Sequence, residues 1–191
     1  MFKKSALRKE YLAKRKLFSE SEIEQQSIKI RDWLFSRLMI HRFENIHVFL
    51  PIAKHKEVNT WLIVETLQKD FPVNIILSKS ENDGTLKHYI YDKTSILVEN
   101  KWGISEPAPE EAKQILANQI DMVLVPLLVF DKHGHRVGYG KGYYDRFLAD
   151  CRADVLKVGL SFFEPVDKIE DTSEHDIELN HCITPNRIWS F

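Results

Sequence analysis

The chain has 191 residues, 43% hydrophobic and 29% charged, with a formal net charge of −1. This length suits a single domain whose core needs no staples, and the near-balance of charge gives no global attraction to nucleic acid. Two cysteines without CxxC spacing argue against a disulfide framework, no apolar run nears the roughly 20 residues of a membrane span, and a reducing, cytoplasmic setting is the default.

Residues 3 to 17 read as a helix that carries Lys3, Lys4, Arg8, Lys9, Lys14, Arg15 and Lys16 against Glu10 alone. A signal peptide fails for want of an apolar stretch, and the scarcity of serine argues against a transit peptide without removing it; a nucleic-acid arm, a solvated basic face and a ligand-binding face stay open. Ser19 and Glu22 form a capping box before a second helix near 20 to 39, whose Ile23, Ile30, Trp33, Leu34 and Leu38 recur at helical spacing. HVFLP is a buried strand. Asn59 or Thr60 caps a helix running to about Lys69. VNIILS is a strand, and DGTLKHYIY is a turn into an alternating extended segment. Pro109 and the acids after it predict a helix through EEAKQILAN. DMVLVPLLVF predicts one long buried strand with Pro126 at an irregular point or an edge. A helix over 142 to 152, a strand at VLKVGLSF and an extended RIWSF follow. Strands alternating with helices predict a three-layer α/β/α domain around a largely parallel sheet.

The densest stretch runs from Asp121 to Leu148, DMVLVPLLVFDKHGHRVGYGKGYYDRFL. Strand, glycine loop and helix in that order build phosphate sites, because backbone N–H groups of the loop and helix start can point at one anion. Gly138, Gly140 and Gly142 leave little side chain between backbone and ligand and tolerate positive φ. Arg136, Lys141 and Arg146 add positive charge, and Asp145 offers a carboxylate for a metal. The string is not a Walker A loop, since Gly142 and Tyr143 follow Lys141, and not a dinucleotide fingerprint, since the third glycine comes one residue early. By themselves the glycines equally describe a tight strand-to-helix turn with solvated Arg and Lys. Asp131 reads as a cap for the turn after its strand. His133 and His135 read as solvated loop residues, because no zinc spacing is present. Cys151 lies in no nucleophile elbow and reads as packing.

RVGYGKGYYDRFL, preceded by VPLLVFD, resembles the signature of the 5-formyltetrahydrofolate cyclo-ligases, also called methenyltetrahydrofolate synthetases. Each fixed position of that pattern is present: Arg136, Gly138, Gly140, Gly142, Tyr143, Tyr144, Asp145 and Arg146. Lys141 departs from it, standing where the family more often has a small residue. KSALRKEYLAKRK is similar to the family's opening helix, whose lysine and arginine reach ATP. Those positions are Lys4 and Arg8, which share a helix face, with Ser5, Ala6 and Leu7 between them. PIAKHKEVNTW resembles the folate-side segment, with Glu57 toward the pterin and Ile52 as an apolar contact. KWGISEP carries Trp102 as a stacking surface for the pterin ring. EHDIELNHCIT resembles the closing segment, in which Asp176 is a second metal carboxylate.

The resemblance implies an enzyme that uses ATP and Mg2+ to convert 5-formyltetrahydrofolate into 5,10-methenyltetrahydrofolate. It implies the α/β/α fold shared with sugar-phosphate isomerases and coenzyme A transferases. ATP would lie on Lys4, Arg8, Arg136 and the loop from Val137 through Tyr139 and Lys141 to Tyr144, with Lys4, Arg136 and Lys141 as catalytic cations. Mg2+ would lie on Asp145 and Asp176, and the reduced folate on Ile52, Glu57, Trp102 and Tyr144. One of Tyr143 and Tyr144 is expected in the site and the other in packing. Arg146 is left between phosphate and a loop anchor. A monomer with no nucleic-acid or membrane partner is expected. Two other readings stay open: a non-catalytic relative that binds nucleotide, folate or RNA, and a sugar-phosphate isomerase, which leaves Lys4, Arg8 and Glu57 without a role.

Overall fold

A computed structural model describes residues 2–100, 103–108 and 112–191. The first half holds α1 (Lys4–Lys16), α2 (Glu20–Arg37), β1 (Asn45–His47), α3 (Trp61–Asp70), β2 (Asn74–Ser80) and β3 (Leu86–Tyr91). The second half holds β4 (Leu97–Glu99), β5 (Ser105–Pro107), β6 (Gln114–Ile115), β7 (Met122–Pro126), β8 (Val129–Phe130), β9 (Arg136–Val137), α4 (Tyr143–Asp150), β10 (Leu156–Leu160), β11 (His181–Ile183) and β12 (Ile188–Ser190).

Local chemistry sets several boundaries. α2 begins in the expected capping box, with Ser19 Oγ accepting from Glu22 N at 3.2 Å and Ser19 N donating to Glu22 Oε2 at 2.7 Å. The end of α1 is held from outside: Lys56, in the left-handed region at φ 48°, donates its ammonium to Lys16 O at 2.8 Å and to Phe18 O. Thr60 precedes α3, but its hydroxyl bonds Phe49 O at 2.5 Å, and the side chain that meets the helix start is Asn59, which accepts from Trp61 N at 3.3 Å.

Eight strands make one sheet in the order β12-β11-β10-β7-β1-β2-β3-β6. The five from β11 to β2 are parallel to their neighbours; β12 at one edge and β3 with β6 at the other run antiparallel. Alternation along β7 separates the two faces. Met122 and Leu124 pack with Ile30 and Leu34 of α2 and with Ile63, Val64 and Leu67 of α3. Val123 and Val125 pack with Phe147 and Leu148 of α4 on the other side. The largely parallel sheet between two helical layers is therefore present. A third cluster joins Leu7 and Tyr11 of α1 to Leu128, Val129 and Val137.

Two expectations are corrected. The predicted helix through EEAKQILAN is not there among the described residues: β6 pairs with β3 through His88 and Ile115, and Ala117–Gln119 form one short 3-10 turn. Its proline and first acids, 109–111, lie outside the described residues. Ala112, Ile115 and Leu116 stand at helical spacing, but among the described residues of the segment only Ile115 is buried, paired with His88 of β3, while Leu116 is 62% exposed, so the segment completes the sheet edge instead. The long strand DMVLVPLLVF is also two pieces. β7 ends at Pro126, which has no N–H to continue the ladder, and β8 pairs with β9 in a separate hairpin. Pro126 thus sits at an irregular point, the end of a central strand.

Candidate functional site

β1 lies between β2 and β7, so successive crossovers leave it in opposite directions, and the carboxyl ends of all three strands meet there. Open α/β sheets bind ligands at such a switch point. A cavity of about 710 Å³ occupies it, floored by His47, Val48, Leu77, Ser78 and Pro126. The glycine loop forms a wall. It follows the β8–β9 hairpin rather than coming straight off the central strand. Gly140 and Gly142 have φ +90° and +67°, the left-handed region in which a side chain is strained. A Cβ on Gly140 would come within 3.1 Å of the Arg8 guanidinium, which is bonded to the loop through Arg8 Nε and Gly138 O at 2.9 Å.

Most of the expected residues converge here. Lys4, Arg8, Ile52, Glu57, Arg136, Val137, Gly138, Tyr139, Gly140, Lys141, Gly142, Tyr143, Tyr144, Asp145 and Asp176 all line the cavity. Ser5, Ala6 and Leu7 do not; Leu7 points into the core at 2% exposure, one helical position away from Arg8. Trp102 lies outside the described residues. Both Tyr143 and Tyr144 border the cavity, where one was expected; Tyr144 also packs on His47 and Phe147. Arg146 takes the anchoring role, donating to Gly84 O at 2.6 Å and Lys141 O at 3.1 Å, so it ties the glycine loop to the β2–β3 turn. Asp131 caps its turn as expected, accepting from His133 N at 2.9 Å, His135 N at 3.1 Å and Ile169 N at 2.9 Å.

The cations and carboxylates are interlocked. Arg136, 8% exposed, donates to Asp145 Oδ1 at 2.7 Å and to the Ile177 carbonyl. Burial lowers its pKa and Asp145 raises it. Lys4 pairs with Asp176 Oδ2, which also accepts from Ser173 N at 2.7 Å. Burial raises the Asp176 carboxyl, but Lys4, the Ser173 N–H and Arg136 together hold it below the usual range. In both aspartates the second oxygen makes no hydrogen bond among the described residues. Two carboxylates on one cavity, each with an oxygen to spare, suit Mg2+, which takes one or two protein carboxylates and completes its shell with phosphate oxygens and water. Among the described residues, no group of three or more His, Cys, Asp or Glu side chains gathers as a metal cluster.

Glu57 is 5% exposed, and both of its oxygens are engaged. Ile52 N donates to Oε2 at 2.7 Å and the Tyr139 hydroxyl to Oε1 at 2.5 Å. Burial pushes the Glu57 carboxyl up, while Arg15, Tyr139 and the Ile52 N–H pull it down. Each oxygen keeps a further lone pair for a ligand N–H.

Several residues at or beside this site were not anticipated. Arg15, 1% exposed, donates to Tyr139 Oη at 3.0 Å and to Leu127 O at 2.5 Å. Its signal was available, since it follows Arg8 at helical spacing on the same face as Leu7 and Tyr11. Glu106 lines the cavity and accepts from Ser80 N at 3.0 Å and Ser80 Oγ at 2.6 Å. His47 bonds Ser78 Oγ at 2.8 Å, and Ser78 bonds His88 Nδ1 at 2.9 Å. Neither of the last two had a local sequence cue.

A family model described as the 5-formyltetrahydrofolate cyclo-ligase family matches residues 1–185. The chain belongs to that family. A probable 5-formyltetrahydrofolate cyclo-ligase of Schizosaccharomyces pombe is 29% identical over 180 residues, 87% of each chain. A 5-formyltetrahydrofolate cyclo-ligase of Mycolicibacterium smegmatis is 29% identical over 191 residues, 96% of this chain and 94% of that one. The solved 5,10-methenyltetrahydrofolate synthetase of Aquifex aeolicus superposes with a TM-score of 0.84 at 29% identity, covering 98% of this chain and 92% of that one. As a cyclo-ligase family member the chain is a ligase of folate metabolism. No helix among the described residues is long and apolar enough to cross a membrane.

Proposed function

We propose that the cavity binds ATP, Mg2+ and 5-formyltetrahydrofolate together and closes the formyl group into the 5,10-methenyl bridge, releasing ADP and phosphate. An N-formyl amide is a poor electrophile, because nitrogen's lone pair is shared with the carbonyl, and its oxygen is a poor leaving group. Phosphorylation solves both problems. The formyl oxygen attacks the γ-phosphorus, the bond to the β-phosphate oxygen breaks, and ADP leaves. N10 then attacks the activated carbon and loses its proton. The C–O bond breaks with departure of phosphate, and a conjugated cation remains.

The protein's task is positioning and charge stabilisation. The Gly138–Gly142 backbone, Arg8 and Lys141 cradle the phosphates, and Lys4 and Arg136 face the group in transfer. Asp145 and Asp176 would hold Mg2+, which supplies neutralising charge to the phosphate oxygens. Glu57 accepts from the N–H edge of the pterin, with Ile52 and Tyr144 beside it. The observation that carries this reading is the convergence of three distant segments on one cavity: the α1 cations, Glu57 and the complete glycine loop.

The test is an absorbance assay. Purified protein mixed with 5-formyltetrahydrofolate, ATP and Mg2+ is expected to produce the near-ultraviolet band of the methenyl product, and omission of ATP or of metal is expected to abolish it. Folded protein that gives no signal with all three would overturn the reading.

A further inference from the structure

Tyr139 stands between Gly138 and Gly140 in the glycine loop, yet its side chain serves another part of the site. Its hydroxyl donates to Glu57 Oε1 at 2.5 Å, across 82 residues of sequence. The same hydroxyl accepts from Arg15 Nη1 at 3.0 Å. Arg15 is fixed in turn by Leu127 O at 2.5 Å, and its guanidinium lies 4.0 Å from Glu57. The His55 ring packs on Tyr139 with 4.9 Å between centroids. The hydroxyl is thus oriented from one side by an arginine and aimed at one carboxylate oxygen. Burial and Glu57 keep its pKa far above the ordinary value, so it remains a neutral donor.

We propose that Arg15 and Tyr139 are positioning residues that join the glycine loop to Glu57, so that nucleotide on the loop and folate at Glu57 bind with linked affinities. The inference rests on the function proposed above. The loop backbone around Tyr139 is built for close approach: Gly140 lies at φ +90°, and Gly138 O is held by Arg8 Nε at 2.9 Å. A nucleotide that engages those N–H groups and Arg8 fixes where the Tyr139 hydroxyl sits. That fixes Oε1 of Glu57 and leaves its other lone pair aimed for the incoming pterin. The two ligands then meet one connected set of hydrogen bonds, which makes their binding mutually favourable. Arg15 contributes twice. It sets the direction of the hydroxyl, and its positive charge offsets the burial of the Glu57 carboxylate.

A purely architectural role for the triad predicts a loss of stability without any change in linkage. Calorimetric titration separates the two. The Kd of 5-formyltetrahydrofolate is measured on the full chain with and without a non-hydrolysable ATP analogue plus Mg2+. In the wild type the analogue is expected to tighten folate binding about fivefold or more, and folate to tighten the analogue by the same factor. In Tyr139→Phe, which keeps the ring, both factors are expected to fall to near one. Arg15→Lys keeps the charge without the planar fork and is expected to lose the linkage as well. A full factor in Tyr139→Phe, or a factor of one in the wild type, overturns the proposal. Wild type that binds neither ligand removes the proposed function itself. Binding of both ligands without linkage removes only this inference.

Discussion

Arg136 is the residue whose environment says most about its work. A guanidinium at 8% exposure would be costly were its arms not spoken for, by Asp145 at 2.7 Å and the Ile177 carbonyl. The same contacts fix it beside the glycine loop. Hydrogen bonds to charged groups contribute roughly 1.5–3 kcal/mol. Arg136→Ala is therefore expected to raise the KM for ATP about tenfold or more and to leave the folate Kd within about threefold. Steady-state kinetics with each substrate varied checks this, and equal loss for both substrates would count against a phosphate role. Glu57 makes the complementary case. Both its oxygens receive donors, so the amide of Glu57→Gln must turn an NH2 toward either the Ile52 N–H or the Tyr139 hydroxyl. Folate Kd is expected to rise about tenfold, while nucleotide binding measured without folate stays unchanged. Retained folate affinity would take Glu57 out of the pterin site.

Among elements, the trio β1, β2 and β3 carries a device that no short sequence window reveals. His47, Ser78 and His88 lie on three adjacent strands and form one hydrogen-bonded chain, Nε2 to Oγ at 2.8 Å and Oγ to Nδ1 at 2.9 Å. Burial holds His88 down to about 4 from 6.5, and burial with the neighbouring His88 holds His47 well down too. Above pH 6.5 both rings are neutral, folded or unfolded. Between 6.5 and about 4 the unfolded chain takes up protons that the folded chain refuses, so stability falls as pH falls through that window. For His88 alone the full loss is on the order of 3 kcal/mol. Denaturant midpoints at pH 7 and pH 5 are expected to differ clearly in the wild type and by less in His88→Gln. Equal midpoints for the wild type would show that the imidazoles are not buried neutral.

The sheet and its helices were legible because their signals are local: the Ser19–Glu22 box, the alternation of Met122 to Val125, the glycines before Tyr143. The helix expected through EEAKQILAN does not form among the described residues, because Ile115 is taken up by the edge of β3, a strand distant in sequence, and Leu116 is left exposed. At the site, the segments with a family pattern converged as expected, and Arg15 was recoverable from helix spacing. The Tyr139–Glu57 bond and the His47–Ser78–His88 chain were not, since the first joins two loops 82 residues apart and the second exists only after β1, β2 and β3 have paired.

For the whole molecule, the first residues are tied to the 170–176 segment beside the cavity. Phe2 N donates to Glu170 Oε1 at 3.1 Å, Glu170 N returns to Phe2 O at 3.1 Å, Lys4 N donates to Asp171 Oδ1 at 2.7 Å, and Lys4 pairs with Asp176. Exposed polar contacts of this kind contribute little individually, whereas Leu7, Tyr11 and Arg15 hold the rest of α1 in the core, so it is the first turn of this helix that opens before the core does. A phosphate ligand bridging Lys4 and Arg8 to the glycine loop would fasten that helix to the rest. A ligand that binds only the folded state at about a hundred times its Kd adds roughly 2.7 kcal/mol, and at this chain length each kcal/mol moves the melting midpoint by about 2–4 °C. ATP with Mg2+ is thus expected to raise Tm by about 5–11 °C. The combined variant Lys4→Ala and Arg8→Ala is expected to show a much smaller rise at the same ligand concentration. Scanning calorimetry reads both. No shift in the wild type would remove nucleotide from this cavity, whereas a full shift in the double variant would leave nucleotide there and release α1 from its binding.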